Sequence, residues 1–175
     1  MKHLFNISLL TLAIVMLSAC WKAGANVDIW IAAATNDTEA IRQYIDSGAD
    51  IDAREQMGGS SALIVASLVG NVEAAELLLE NGADPNLQNN DASTALHTAA
   101  FFCNQEIVEM LLAHGARLDI KNNYQQTPFE TVSGEWNRQV EEIYRMLGAA
   151  FKLDLDMEHI RENRPVIAEY LSNQS

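Results

Sequence analysis

Cysteine, proline and positive charge are all scarce in this chain. Two cysteines and three prolines occur among 175 residues, so a framework of several disulfides is excluded and stability must come from packing. Eleven Lys and Arg stand against twenty-four Asp and Glu, which gives a formal net charge of −13. So acidic a chain argues against nucleic acid and anionic lipid as partners. It favours a partner protein with a basic or apolar contact surface.

Sequence signatures of catalysis and of metal binding are also missing. No phosphate loop, dinucleotide fingerprint or zinc-ligand spacing occurs. Residues 58–61 (Gly-Gly-Ser-Ser) are superficially similar to a nucleophile turn, but no G-x-S-x-G is completed. Asp154 and Asp156 lack further oxygen ligands at loop-like spacing, so a solvated acidic turn is the simpler interpretation. The sequence therefore predicts a protein without catalytic residues, cofactor or bound metal.

The long apolar run of the sequence lies at its N-terminus. Lys2 supplies a positive charge, and residues 4–17 are almost entirely apolar with no Asp or Glu. Such a run is short for a membrane span and is typical of an export signal. It ends in Leu-Ser-Ala-Cys at residues 17–20, which resembles the bacterial lipobox. The alternative is an ordinary secretory signal with a cysteine near its cleavage site.

The lipobox resemblance implies that residues 1–19 are removed and that Cys20 is acylated through its sulfur. Residues 20–27 then form the lipidated N-terminus and a short tether, and several acyl chains together make the anchor durable. Trp21 follows the cysteine, where an Asp would suggest retention in the inner membrane. We therefore expect a periplasm-facing lipoprotein of the bacterial envelope, in the outer rather than the inner membrane, that touches lipid through its anchor only.

Several short motifs of the chain recur with a period of about 33 residues. The tripeptide Gly-Ala-Asp at residues 48–50 returns at 82–84 and, as Gly-Ala-Arg, at 115–117, spacings of 34 and 33. An apolar helical stretch precedes each copy. Residues 61–67 likewise match residues 94–100 at a spacing of 33.

This period, the Thr-Ala-Leu-His-x-Ala-Ala segment at residues 94–100 and the Leu-Leu-x-x-Gly-Ala endings resemble the ankyrin repeat. The resemblance implies an all-α ankyrin-repeat solenoid of about four repeats, with polar finger loops between them and a C-terminal helical cap. We place the repeats at residues 28–52, 53–86, 87–119 and 120–156, followed by capping helices and a tail at 157–175.

Several helix ends follow from this frame. Gly82 and Gly115 are expected to end second helices in a left-handed conformation. Residues 146–149 (Met-Leu-Gly-Ala) lie out of register, so we expect the second helix of repeat four to differ by a residue or two. Beyond it we expect a short helix over 156–163 and a last helix over 165–171 that starts at a proline.

Two reactive side chains fall at recognisable positions of the repeat. For His97, the histidine of the Thr-x-Leu-His segment, the resemblance implies hydrogen bonds that tie a loop to the helix. Cys103 lies where the family usually has Gly at the end of the first helix, and Asp37 and Trp136 depart from Gly there too, which predicts a different turn. With Cys20 acylated, Cys103 is the only thiol left. Redox sensing is one role for it, and an inert half-buried thiol is the simpler interpretation.

Successive repeats carry apolar residues at positions where packing of the repeat stack does not require them. In the ankyrin frame, the residues after the small pair of the first helix face a concave groove, and exposed apolar or aromatic side chains there mark an interaction site. The predicted surface comprises Leu68, Val69, Phe101, Phe102 and Trp136, extended on the finger tips by Arg54, Met57 and Tyr124. The alternatives are that the phenyl rings fold back into the core or that the C-terminal cap covers them.

The sequence as a whole predicts a non-enzymatic envelope lipoprotein that binds another protein. It is similar to small ankyrin lipoproteins of bacteria, some of which resemble immunity proteins, and this implies an inhibitor of a secreted toxic enzyme such as a lipase. The alternative is a scaffold that holds an envelope complex or a stress-response enzyme at the membrane. An enzyme in its own right is a third hypothesis.

Overall fold

A computed structural model describes residues 28–174, and over this range every regular element is a helix. The helices are α1 (Ile29–Thr35), α2 (Thr38–Asp46), α3 (Ala62–Val69), α4 (Val72–Glu80), α5 (Ala95–Phe101), α6 (Gln105–Ala113), α7 (Pro128–Val132), α8 (Arg138–Phe151) and α9 (Met157–Ser172). Within the described residues, none of these helices has the length and apolar character needed to cross a lipid bilayer. The predicted signal peptide, Cys20 and the tether lie outside the described residues.

The first three repeats are helix pairs whose first helix begins and ends in the same way. Asp28, Ser61 and Thr94 each cap a first helix with a side-chain oxygen that accepts a backbone N–H. A left-handed residue follows each first helix.

That left-handed residue is Asn36 (φ 57°), Gly70 (φ 78°) and Cys103 (φ 59°) in turn. The expectation of a different turn was therefore wrong at Cys103 and in repeat one, where the left-handed residue is Asn36 rather than Asp37. Asp37 instead caps α2. In repeat four, Ser133 follows the first helix in a right-handed conformation (φ −74°), so the turn before Trp136 does differ.

The inner helices form one row and the outer helices another. α1 packs against α3, α3 against α5 and α5 against α7, while α2, α4 and α6 pack in sequence behind them. The close approach rests on small side chains, because Ala66, Ala99 and Ala100 are fully buried between neighbouring helices. The all-α repeat stack predicted from the sequence is confirmed.

Asparagine side chains connect each repeat to the next. Asn71 donates from Nδ2 to the Ala33 carbonyl at 2.8 Å, and Asn104 donates in the same way to the Ser67 carbonyl at 2.8 Å. These bonds satisfy carbonyls at the ends of α1 and α3 that have no partner within the helix.

The finger loops are joined by a similar ladder. Asn90 donates from Nδ2 to the Met57 carbonyl at 3.1 Å, and Asn123 donates to the Asn90 carbonyl at 3.0 Å. Gly59 (φ 69°) permits this approach, because a Cβ at that position would collide with the Asn90 side chain.

The outer helices end as the sequence predicts. Gly82 (φ 87°) and Gly115 (φ 84°) adopt the left-handed conformation one residue beyond the caps that end α4 and α6, Asn81 and His114. Gly48 (φ 74°) does the same after α2.

Repeat four differs from the prediction, because α8 is an insertion and not the second helix of the repeat. α9 packs against α7 and α5, just as α4 packs against α3 and α1. Asp156 is the N-cap residue of α9, in the same position that Asn71 has before α4 and Asn104 has before α6. Repeat four therefore extends to Ser172, with α8 inserted between its two helices.

The Gly148-Ala149 pair explains why the register of repeat four was misread. In the other repeats a Gly-Ala pair follows the outer helix, whereas Gly148 lies inside α8 and is buried. A Cβ on Gly148 would lie 3.2 Å from the Leu153 carbonyl oxygen and from Leu155. This glycine is thus required by close packing of the following loop rather than by a helix end.

The C-terminal segment is one helix and not the predicted two. Pro165 lies inside α9. Pro165 has no backbone N–H, so the carbonyl of Arg161 loses its helical partner. Both residues are exposed, so water can bind that carbonyl. Burial of Ile160, Ile167 and Leu171 along one face holds the helix together across the proline.

Candidate binding groove

A groove lies between the inserted helix α8 and the inner helices α3 and α5. It encloses about 540 Å³, a volume within the usual range of ligand pockets. Its inner-helix wall is formed by Ile64, Val65, Leu68, Phe101 and Phe102. Its other wall is formed by Ile143, Met146, Leu147 and Phe151 of α8. Polar side chains of the finger loops, among them Asn89, Asp91 and Asn122, also line the groove, so its lining is mainly apolar with a polar part.

An aromatic cluster joins α8 to the inner helices. The Tyr144 ring is fully buried and stacks on Phe101, with ring centroids 4.4 Å apart and an interplanar angle of 22°. Phe102 meets Tyr144 edge-on at 6.3 Å, and Trp136 stacks on Tyr144 at 5.7 Å. Aromatic pairs in these geometries contribute roughly 0.5–1.5 kcal/mol each beyond their buried area. Tyr144 and Gly148 are the buried residues of α8, so this cluster is its main anchor.

A hydrogen-bond network lies beneath the aromatic cluster. The Tyr144 hydroxyl donates to the Phe101 carbonyl at 2.6 Å, and Arg164 of α9 donates from Nη1 to the same hydroxyl at 2.8 Å. Arg164 also donates from Nη2 to the Thr131 carbonyl at 3.3 Å. Its guanidinium carbon lies 5.7 Å from the centre of the Tyr144 ring. A single side chain of α9 thus connects α8 to the ends of α5 and α7.

Arg164 is unusual because it is a buried charge. It is 4% exposed, and within the described residues its partners are carbonyl and hydroxyl oxygens rather than a carboxylate. Over residues 28–174 its Nε finds no hydrogen-bond partner. A buried cation without a counter-ion is tolerated only where several acceptors surround it. Arg164 therefore depends on Tyr144, and the position of α8 depends on both.

The protonation states in this cluster follow from burial. Burial raises the pKa of the Tyr144 hydroxyl although the Arg164 charge opposes the shift, so the hydroxyl stays protonated and can donate to Phe101. Burial likewise raises the pKa of the Cys103 thiol to about 11, again against the Arg164 charge. The Cys103 sulfur lies 3.7 Å from the Ile160 carbonyl oxygen of α9. A neutral thiol in this position packs between repeats three and four.

The structure brings together half of the predicted binding surface. Leu68, Phe101, Phe102 and Tyr124 line the groove, whereas Val69, Arg54, Met57 and Trp136 do not. The phenyl ring of Phe102 is 8% exposed and that of Phe101 is half-buried, because α8 packs over both. The covering element is the inserted helix rather than the C-terminal segment considered from the sequence.

The other predicted positions have separate surroundings. Trp136 lines a second pocket, next to Arg164, on the far side of the aromatic cluster. Arg54 donates from Nε to the Gly59 carbonyl at 2.9 Å and so holds its own finger loop. Met57 is 92% exposed at a finger tip.

His97 ties a loop to a helix, as the ankyrin resemblance implies. Its Nδ1 accepts the backbone N–H of Thr94 at 3.2 Å, and its Nε2 donates to the Gln126 carbonyl at 3.0 Å. Both ring nitrogens are therefore occupied in the neutral form. Burial lowers the pKa of His97 and keeps the ring neutral.

Charge and apolar surface lie on different sides of the stack. The exposed carboxylates of α4 and α6 are Glu73, Glu76, Glu80, Glu106 and Glu109, and neither helix contains a Lys or Arg. On α8 the charges form ion pairs, Arg138 with Glu142 at 3.0 Å and Arg145 with Glu141 at 2.6 Å. Among the residues that the structure describes, Asp91 is the only charged side chain that lines the groove.

The residues that sequence reasoning missed are those of α8 and Arg164. A signal for α8 was present, because apolar residues at positions 140, 143, 144, 147 and 151 recur at helical spacing. Two Glu and Arg pairs four residues apart support the same helix. A signal for Arg164 was also present, because it lies at helical spacing from Ile160, Ile167 and Leu171, on the apolar face of α9.

The repeat pattern belongs to a known family. Residues 29–122, just over half of the chain, match the family described as ankyrin repeats (3 copies). The chain therefore belongs to the ankyrin-repeat family, whose stacks generally mediate protein–protein binding.

Several known proteins are similar over part of the chain. The bovine mitochondrial disaggregase is 39% identical over 56 residues, which cover 32% of this chain and 8% of that protein. The bovine cyclin-dependent kinase 4 inhibitor B is 36% identical over 63 residues, which cover 36% of this chain and 47% of that protein. The chain thus spans less than half the length of either relative.

A solved structure shares the fold. The crystal structure of the ankyrin repeat domain of Bcl-3, described as a unique member of the IkappaB protein family, has a TM-score of 0.57 and 32% sequence identity. The similarity covers 67% of this chain and 50% of that one.

Proposed function

We propose that this protein is an immunity lipoprotein of the bacterial envelope that binds and inhibits a secreted toxic enzyme through the groove between α8 and the inner helices. The observation that carries the proposal is the groove itself, an apolar cavity of about 540 Å³ that is open at the surface of an otherwise acidic molecule. Apolar recesses next to aromatic side chains are where binding energy concentrates in protein interfaces.

An inhibitory role has support in the comparisons. One relative is by its name an inhibitor of a kinase, and it matches this chain over 63 residues. An inhibitor needs a rigid surface, because ordering loops on binding costs free energy. The groove walls are helices, and α8 is fixed by the Tyr144 and Arg164 contacts.

The test is capture of an enzyme by the purified protein, followed by an activity measurement. Immobilised protein is exposed to secreted proteins of competing bacteria and to envelope extract, and what is retained is identified by mass spectrometry. We expect one secreted hydrolase, bound at one-to-one stoichiometry and losing its activity. Retention of resident envelope proteins whose activity is unchanged would refute the inhibitor and favour a scaffold.

A pair of variants locates the contact. Met146 is 63% exposed on the groove wall, and Met146→Ser removes apolar surface there without touching the core. Glu76→Gln on the exposed side of α4 is the matched control. We expect Met146→Ser to reduce inhibition about tenfold, as the loss of a buried apolar side chain would. Glu76→Gln should leave inhibition unchanged.

Envelope anchoring through Cys20 is a separate part of the proposal, supported by the sequence pattern before that residue. In a bacterial host, the wild-type chain should incorporate labelled fatty acid and fractionate with the outer membrane. Cys20→Ser should abolish the label and release the protein from the membrane fraction. A wild-type chain that is exported but carries no lipid would indicate the ordinary secretory signal instead.

A further inference from the structure

Within residues 28–174, several apolar side chains of α8 are left uncovered although Tyr144 is buried. Ile143, Met146 and Phe151 are 38%, 63% and 52% exposed, and all three line the groove. α8 lies outside the helix pairs that build the stack, so these side chains are not needed to hold neighbouring repeats together. Their exposure toward the groove is costly in water unless an apolar surface enters from outside.

The charge at the groove restricts what can enter. Asp91 is exposed, is the only charged side chain of the lining, and has no ion-pair partner within the described residues. On the opposite wall the charges of α8 are paired with each other, and Lys152, which follows the last residue of α8, does not line the groove. An anionic amphiphile would therefore meet an unpaired carboxylate, whereas a cationic group would find a partner.

We propose that the groove receives an apolar segment of the partner protein that carries a Lys or Arg beside its apolar side chains, with α8 as one wall and Asp91 as the partner of the cation. This inference rests on the proposed function, since it names the chemistry of what the groove binds. It assigns binding roles to Ile143, Met146 and Phe151.

The shape of the groove fits a few side chains rather than a whole domain. A volume of about 540 Å³ lies in the range occupied by small ligands. Methionine suits such a wall because its unbranched side chain adapts to the shape of what it contacts. Tyr124, 72% exposed at a finger tip on the rim, extends the surface that an entering segment can touch.

The experiment uses three synthetic fluorescent peptides with the purified protein. The first alternates leucine and lysine pairs at helical spacing, the second replaces each lysine by glutamate, and the third replaces each leucine by serine. Fluorescence anisotropy gives the dissociation constant of each. We expect the leucine–lysine peptide to bind at least about tenfold more tightly than either of the others.

Two variants separate the groove from general attraction to an acidic protein. Asp91→Asn should weaken binding of the leucine–lysine peptide about two- to fivefold, as expected for the loss of an exposed ion pair. The difference in affinity between this peptide and the glutamate peptide should become smaller. Met146→Ser should weaken binding of the leucine–lysine peptide about tenfold. Glu76→Gln removes the same charge from α4. It should change neither the affinity of the leucine–lysine peptide nor its advantage over the glutamate peptide.

Other outcomes overturn the inference. Equal weakening by Glu76→Gln and Asp91→Asn would show that net charge alone attracts the peptide. Equal binding of the serine–lysine peptide, tighter binding of the glutamate peptide, or no binding of any peptide would each refute an apolar and cationic occupant. If these results were obtained but a captured enzyme was still inhibited, the proposed function would stand without the inference. If the leucine–lysine peptide bound but no enzyme did, the inference would stand and the proposed function would be refuted.

Discussion

Tyr144 and Arg164 together form the polar centre of an otherwise apolar contact. The Tyr144 hydroxyl accepts from Arg164 and donates to the Phe101 carbonyl, so three elements share one oxygen atom. The stacked rings supply buried apolar area, while the hydroxyl fixes the register of α8 on α5.

Tyr144→Phe tests this hydroxyl. The stacked ring remains, but the Phe101 carbonyl and one N–H of Arg164 lose their partner in a buried place. We expect the free energy of unfolding to fall by about 1–3 kcal/mol, measured by urea denaturation. Tyr124→Phe, on a residue that is 72% exposed, is the control and should change stability little. Equal effects of the two substitutions would contradict a structural role for the Tyr144 hydroxyl.

Cys103 provides a second prediction at this scale. Its thiol is 3% exposed and its pKa is raised to about 11 by burial, so the reactive thiolate is rare at neutral pH. At pH 8, iodoacetamide should modify Cys103 far more slowly in the folded protein than in urea, with the product followed by mass spectrometry. Modification as fast as that of an exposed cysteine would revive a redox-sensing role.

His97 makes stability depend on pH in a definite direction. Burial lowers its pKa in the folded chain below the ordinary value of 6.5. Below that value the unfolded chain takes up a proton that the folded chain does not, so the contribution is complete above pH 6.5 and is lost as the pH falls. His97→Gln should therefore show a smaller loss of unfolding free energy than wild type between pH 7 and pH 5.5. An equal loss in both proteins would place the pH dependence elsewhere.

At the scale of elements, the repeats and the insertion differ in how far the sequence reveals them. The helix pairs were predictable because two features recur at spacings of 33 or 34 residues: a Ser or Thr that caps the first helix, as at Thr94, and a Gly after the second helix, as at Gly115. Repeat four was misassigned because Gly148-Ala149 has the composition of a repeat ending while serving a different packing need.

The candidate groove was predictable in part for the same reason. Periodicity locates Leu68 and Phe101 on the inner face, since it depends only on the repeat frame. It says nothing about which distant element packs over that face, because the Tyr144 contact with Phe101 spans 43 positions. Helical spacing places Arg164 on the apolar face of α9, but it does not indicate that the Tyr144 hydroxyl, 20 positions away, is its partner.

Replacement of α8 tests its independence from the stack. If residues 137–153 are exchanged for a short glycine–serine linker, α9 still reaches α7 and α5, since these helices contact each other directly. We expect a helical protein that unfolds cooperatively at a lower temperature, measured by circular dichroism, because Arg164 and Phe101 lose Tyr144. Binding through the groove should be abolished. Loss of all cooperative unfolding would show that α8 is part of the core.

At the scale of the whole molecule, the stack is stabilised by contacts between neighbours, so its ends matter most. Removal of residues 157–175 deletes α9 and the burial of Ile160, Ile167 and Leu171, each worth roughly 1.5–3 kcal/mol. We expect faster hydrogen exchange in α5 and α7, which α9 covers, than in α1 and α3. Uniform protection across the truncated chain would contradict this nearest-neighbour description.

The position of α8 also has a consequence for how such a protein changes over generations. Its connections leave and rejoin repeat four between α7 and α9, whose mutual contact does not pass through it. Mutations at the exposed positions of this stretch, such as Met146 and Phe151, can therefore alter the shape and chemistry of one wall while the repeats continue to fold. The binding surface proposed for α8 can then change its specificity within a single segment while the repeats that present it keep their own contacts.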